Sequence, residues 1–188
     1  MEGGVLLKID NLTKFYGDKL VLNHVSLEIK EGEIFGIVGM SGAGKTTLLE
    51  CIIGFSAFQG GDVLFPLQSS FGDSFVTAKK QKGYKRRFGF ASQCPSFYSK
   101  LTVRENLEYF GSLYGVERRS VLHNADSLIS LVGLSGESGT IAGNLSGGMQ
   151  KRLDMACALI HGPKILILDE PTADLDPVSR RHVAELIK

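Results

Sequence analysis

Three things are scarce in this chain: net charge, pairable cysteine and long apolar runs. Twenty-one Lys and Arg residues stand against 20 Asp and Glu, a formal charge of +1, so whole-molecule attraction to nucleic acid or an anionic membrane has no basis. Cys51, Cys94 and Cys157 are odd in number, widely spaced and without a C-x-x-C pair. That pattern suggests neither a disulfide framework nor a zinc site, and fits a reducing, cytosolic setting best. No uncharged apolar run approaches the ~20 residues of a membrane span, and Met1 to Lys8 lacks the basic start and apolar core of a leader. Solenoid repeats and low-complexity tails are missing too. What remains is 188 residues, 43% hydrophobic and 22% charged, enough for one globular domain or for a core with a small satellite.

Within that composition one stretch is specific. Gly39-Met40-Ser41-Gly42-Ala43-Gly44-Lys45-Thr46-Thr47 fits Gly-x-x-x-x-Gly-Lys-Thr, a phosphate-binding loop. Glycines at 39, 42 and 44 let backbone N–H groups approach a polyphosphate unobstructed. Lys45 supplies charge to the β and γ phosphates, Thr46 a hydroxyl for Mg²⁺, and the following helix a favourable dipole. Ile34 to Val38, just upstream, reads as a buried strand. Lys45 to Ile53, with Leu48, Leu49, Ile52 and Ile53 on one face and Gly54 as terminator, reads as the helix.

Val5 to Asp10 and Leu20 to Lys30 alternate near period two around the turn signal Tyr16-Gly17-Asp18, predicting antiparallel strands. Ile165 to Leu168 has the unbroken apolar character of a parallel, fully covered strand. Gln68 to Lys85 is polar and reads as a loop or short edge strand. From Thr102 to Ile160 helical spacing dominates, predicting a helical subdomain inserted in an α/β core, and Val178 to Lys188 reads as a helix after Pro177.

Asp169 and Glu170 emerge at the carboxyl end of the Ile165 strand, where ligands bind in open α/β sheets. One carboxylate can serve Mg²⁺ and its neighbour an attacking water; an acidic strand-to-turn junction before Pro171 is the alternative. Ser146-Gly147-Gly148 opens the helix ending near Ile160. Ser146 caps that helix, or it turns its hydroxyl and the open N–H groups to a phosphate.

In order and kind, these motifs resemble those of ABC (ATP-binding cassette) transporter nucleotide-binding subunits, with the Leu-Ser-Gly-Gly-Met form most similar to ABC-2-type exporters and an importer as the alternative. Gly39 to Thr46 resembles Walker A, Leu145 to Gln150 the signature, Ile165 to Glu170 Walker B, Ala173 to Asp176 the D-loop, and Gln93 the Q-loop glutamine. The resemblance implies an α/β P-loop NTPase core with a mainly parallel sheet and an antiparallel β subdomain (about 1–92 and 161–188), plus a helical subdomain at about 93–160. It implies ATP and Mg²⁺ as ligands, Tyr16 (or Phe15) stacked on adenine, Glu170 as catalytic base with Gln93 and Lys45, and Thr46, Gln93 and Asp169 toward Mg²⁺. Asp176 falls among the nucleotide-binding positions. Ser146, Gly147 and Gly148 would grip ATP held by a second, head-to-tail cassette, identical or not. An integral membrane permease is the other implied partner, at the cytoplasmic face of the membrane, with Phe97 and Tyr98 as contact residues or as subdomain core.

Two departures stand out. Met149 occupies a position where many relatives carry Gln, and the family's switch histidine lies beyond Lys188, His182 reading as a surface helix position. The chain is therefore expected to be a C-terminally incomplete cassette with impaired turnover. The basic cluster Lys79, Lys80, Lys82, Lys85, Arg86 and Arg87 reads as solvated charge, with no nucleic acid expected. A soluble ABC-type ATPase acting on ribosome or DNA is the alternative function.

Overall fold

The structure, a computed structural model, describes residues 4–66, 74–80 and 83–187. Residues 68–73, 81 and 82 of the polar 68–85 stretch, Lys82 of the basic cluster among them, and Lys188 thus fall outside the described residues. The chain divides into two compact units, residues 1–85 and 86–188.

The first unit is built on an antiparallel sheet. Strands β1 (Val5–Tyr16), β2 (Lys19–Lys30), β3 (Gly60–Pro66) and β4 (Phe75–Thr77) lie in the order β2-β1-β3-β4. The hairpin expected around Gly17-Asp18 is present, and β1 is six residues longer than the alternation indicated. The pairing of β1 with β2 has four register shifts, and two of them carry a left-handed residue. Between the pairs Ile9–Leu27 and Leu12–Val25, β1 has an extra residue at Asn11, and between Leu12–Val25 and Lys14–Leu22, β2 has one at His24; both adopt φ 49°. The bulge changes parity on β1, so the buried set runs Leu7, Ile9, then Leu12 and Lys14. A lysine is thereby turned inward. Helix α1 (Lys45–Ile53) follows the glycine loop and buries Leu48, Cys51, Ile52 and Ile53, ending at Gly54 with φ 82° as expected.

Residues 34–38 do not form the expected buried strand: they have no regular structure, with Ile34 65% and Val38 97% exposed. An apolar run becomes a buried strand only where its N–H and C=O groups find a ladder. None of the described strands pairs with this one.

In the second unit, β5 (Phe88–Ala91) and β6 (Ile165–Leu168) pair in parallel, Phe88 opposite Ile165 and Ala91 opposite Leu168. Around them stand α2 (Val103–Leu113), α3 (Arg118–Leu131), α4 (Gly147–Leu159) and α5 (Pro177–Ile187). Val103, Leu107, Ala125, Ile129, Leu153 and Ile160 form the core of the helical part. Helix α4 packs so tightly on β5 that a Cβ on Gly89 would run into the carbonyl of Ala158.

Helix α2 starts with a full capping box, Thr102 Oγ1 accepting from Glu105 N (3.2 Å) while Glu105 Oε2 accepts from Thr102 N (2.8 Å). One turn in, the fully buried Asn106 accepts from Tyr98 N through Oδ1 (2.7 Å) and donates through Nδ2 to the carbonyls of Tyr98, Leu101 and Thr102. Asn106→Ala orphans those loop groups and is expected to lower unfolding free energy by about 2–4 kcal/mol, read as an earlier urea midpoint at unchanged m. A change under about 0.5 kcal/mol would show that water replaces the amide without loss.

Candidate nucleotide site and signature turn

In the first unit the loop from Gly39 to Thr46 folds back on its own lysine. Lys45 Nζ donates to the carbonyls of Gly39 (2.9 Å) and Met40 (3.1 Å), and Ala43 N closes a turn on Met40 O at 3.2 Å. Gly42 and Gly44 take φ 78° and 90°. At Gly44 a Cβ would also lie 3.1 Å from Val21 Cγ1, because the start of α1 sits close against β2, so position 44 needs glycine for both conformation and space. As N-cap, Gly44 brings no side-chain oxygen to the helix start. Ser41, Gly42, Ala43 and Thr46 are exposed, and Lys45 and Thr47 half-buried. An exposed helix start with no side chain capping it, next to a lysine held by carbonyls alone, is a place where an anion is favoured.

Tyr16 ends β1 half-exposed. Its Oη lies 3.4 Å from Ser56 Oγ, and Lys14 Nζ sits 4.4 Å from the centre of its ring while donating to Ala57 O at 2.6 Å. Lys14 and Tyr16, two residues apart, share a side of the strand by its alternation, and the Asn11 bulge sets which side that is. A cation over one face fixes the ring and leaves the other for stacking.

In the second unit the parallel register makes the site. Because Ala91 is opposite Leu168, the residues that follow, Ser92-Gln93 and Asp169-Glu170, emerge side by side, and Asp169 N donates to Ala91 O at 2.9 Å. Gln93 Nε2 donates to Glu170 Oε2 at 3.3 Å. Asp169 is buried and Glu170 exposed with φ 49°. A left-handed glutamate costs on the order of 1–3 kcal/mol and persists only where its surroundings over-determine it.

Ser146 is the N-cap of α4, its Oγ accepting from Met149 N at 3.4 Å. Ser146 and Gly147 are exposed, while Leu145 and Gly148 are buried. The two glycines differ in kind: a Cβ at Gly147 would meet nothing within 4 Å, whereas one at Gly148 would lie 2.6 Å from Ser179 Cβ on α5.

Asp176, expected on the nucleotide, spends Oδ1 on the first turn of α5, accepting from Val178 N and Ser179 N at 3.0 Å each. Bonds from Ser179, then Val178, hold its carboxyl below the usual range. A lowered pKa means that this cap stabilises the fold above the ordinary Asp range and is lost as pH falls through the lowered value. Phe97 packs against the helical core and Tyr98 is half-exposed, edge-on to Tyr109 with ring centres 4.7 Å apart. In the first unit, Lys85 of the basic cluster donates to Gly54 O at 2.9 Å, at the carboxyl end of α1.

Three residues escaped the sequence reading. Lys14 fell between the two expected strands, Val5 to Asp10 and Leu20 to Lys30. On α4, Lys151 Nζ donates to the carbonyls of Ser92 and Gln93 (2.8 Å each), and Asp154 Oδ1 accepts from Ser96 N (2.8 Å) and Ser96 Oγ (2.7 Å). Both are buried. The available signal was the helix itself: Leu153, Met155, Ala156, Cys157 and Ala158 leave it almost no polar face, so charges there must be buried and bonded.

Comparison with known proteins places these features in a lineage. A family model described as ABC transporter matches residues 22–173. The chain is 36% identical over 182 residues to the bacitracin transport ATP-binding protein BcrA of Bacillus licheniformis, covering 97% of this chain and 56% of that protein. It is 36% identical over 196 residues to the methionine import ATP-binding protein MetN of Campylobacter jejuni, covering 97% and 58%. The chain thus spans a little over half the length of these curated relatives. Among solved structures, cbiO1 from Clostridium perfringens, part of the ABC transporter complex cbiONQ, superposes with a TM-score of 0.82 at 27% identity, covering 97% of this chain and 72% of that one.

Proposed function

The chain belongs to the ABC transporter family, and we propose that it binds and hydrolyses ATP in a head-to-tail pair with a second cassette, homo- or heterodimeric, on the cytoplasmic side of an integral membrane permease. Its fold is that of ABC ATPase domains, a P-loop NTPase core with an antiparallel sheet and a parallel strand pair. Among the described residues no helix is long and apolar enough to cross a membrane. Relatives are named for bacitracin transport and for methionine import; cargo and direction are accordingly assigned to the membrane subunit.

Gly39 to Thr47 take the phosphates, with Lys45 supplying the charge, and Tyr16 takes the adenine. Each unit supplies oxygen donors of the kind Mg²⁺ prefers, the hydroxyl of Thr46 in the first and the carboxamide of Gln93 and the carboxylate of Asp169 in the second. When bound, the ion would neutralise charge on the β and γ phosphates. Glu170 accepts a proton from water, and Gln93, already bonded to it, orients that water. Ser146, Gly147 and Gly148 receive the phosphate of the partner cassette's nucleotide. The observation carrying the hydrolytic part is the Gln93–Glu170 contact at the carboxyl ends of β5 and β6.

Displacement of a fluorescent nucleotide tests the binding part. Lys45→Ala is expected to weaken ATP and inorganic tripolyphosphate alike, by about tenfold or more, since each loses a charge-assisted contact. Lys14→Met should weaken ATP by several-fold and leave tripolyphosphate unchanged, because it loosens only the ring under the base. A Lys45→Ala chain with unaltered ATP affinity would refute the assignment.

A further inference from the structure

Helix α4 does two things at once. Its first residues form the exposed signature turn, and its second turn buries two opposite charges against the loop that carries Gln93. Lys151, 7% exposed, holds the loop at its start through the carbonyls of Ser92 and Gln93. Asp154, 0% exposed, holds it three residues further on through the backbone and hydroxyl of Ser96. At positions i and i+3 the two side chains leave one face of the helix, so residues 92–96 are pinned at both ends to a single rigid turn. Inside the loop, Ser92 Oγ donates to the carbonyl of Cys94, closing the segment on itself.

The arrangement is not what stability alone would select. Asp154 Oδ2 has no hydrogen-bond partner among the described residues. Burial pushes its carboxyl up, with the Ser96 bonds and the Lys151 charge acting the other way. A half-satisfied buried carboxylate costs stability where an apolar residue of similar size costs none. What it supplies is a fixed distance between the loop and the helix.

We infer that Lys151 and Asp154 are positioning residues: they lock the Gln93 loop to the signature helix, so that the placement of Gln93 beside Glu170 and the placement of Ser146-Gly147 are one mechanical variable. This rests on the function proposed above and deepens it. A change at Gln93 on nucleotide binding or loss is transmitted to the turn facing the second cassette, and closure of that turn acts back on Gln93 with the same coupling.

The test combines amide hydrogen exchange with steady-state hydrolysis on the 188-residue chain. Asp154→Ala and Lys151→Met are expected to speed exchange of the Ser96 amide and its neighbours about tenfold or more. The same variants should lower kcat for ATP by about tenfold with KM within about twofold, because ground-state binding is untouched. Asp154→Asn keeps the accepting oxygen and should restore both readings, which a merely electrostatic effect would not. Exchange at Ser96 unchanged in Asp154→Ala, or equal falls in kcat for Asp154→Asn and Asp154→Ala, would overturn the inference. Should Asp154→Ala fail to fold, Ser96→Gly removes the hydroxyl bond from the other side and should give a smaller shift of the same sign. Exchange needs no turnover, so the brace is judged by exchange even where the 188-residue chain hydrolyses ATP too slowly for kcat to be read, and the proposed function stands or falls separately on the nucleotide-displacement test.

Discussion

Glu170→Gln is expected to lower single-turnover ATP hydrolysis by about 10²–10⁴-fold while nucleotide affinity stays within about twofold. The substitution is nearly isosteric. Its carboxamide oxygen can still accept from Gln93 Nε2, the 3.3 Å contact that positions the pair, and it suits the left-handed backbone at φ 49° no worse than the native side chain. What is lost is the ability to take a proton from water. Because position 170 is exposed, no buried charge is removed and the fold should be untouched, so an unchanged thermal midpoint serves as the control. Asp169→Asn should behave differently, since that carboxylate is buried at the end of β6 and is assigned to Mg²⁺. It is expected to change the Mg²⁺ dependence of binding as well as the rate. A Glu170→Gln chain within fivefold of the unsubstituted rate would move the general base to another residue.

The glycine loop, α1 with its Gly54 stop, the Ser146 cap and the β6 strand were all legible, because each is set by short-range physics: φ requirements, capping, or an apolar run of strand length. The run 34–38 looked the same as β6 by that criterion. Yet Ile165 to Leu168 found Phe88 to Ala91 as ladder partner, and Ile34 to Val38 pairs with none of the described strands; a strand is a property of two segments, and only one was being read. The bulges at Asn11 and His24 were invisible for a related reason. They follow from register between β1 and β2, and their consequence, Lys14 turned beneath Tyr16, is a three-segment fact. Motif reading located Gln93 and Glu170 by resemblance. Their contact follows from parallel pairing and needed the structure.

The neighbouring glycines of the signature turn should fail for opposite reasons when given a methyl group. At Gly147 a Cβ meets nothing within 4 Å, and the position is the first of a helix. Gly147→Ala should therefore leave the chain as stable, or up to about 1 kcal/mol more so from helix propensity. Among the described residues nothing requires glycine there, which leaves a functional need from outside as the reading to test. If a phosphate held by a second cassette has to approach that turn, the methyl group displaces it by about its own radius, and cooperative hydrolysis should fall by about 10–10²-fold. At Gly148 a Cβ would crowd Ser179 of α5, 2.6 Å from its Cβ. Gly148→Ala should cost about 1–3 kcal/mol in unfolding free energy through overpacking. Ser179→Gly in the same chain should recover most of that, a coupling that a double-mutant cycle reads directly. The pair thus separates a glycine kept for a neighbour in the fold from one kept for a visitor. Full hydrolysis by Gly147→Ala under conditions where two chains associate would remove the reason for assigning this turn to the partner's nucleotide.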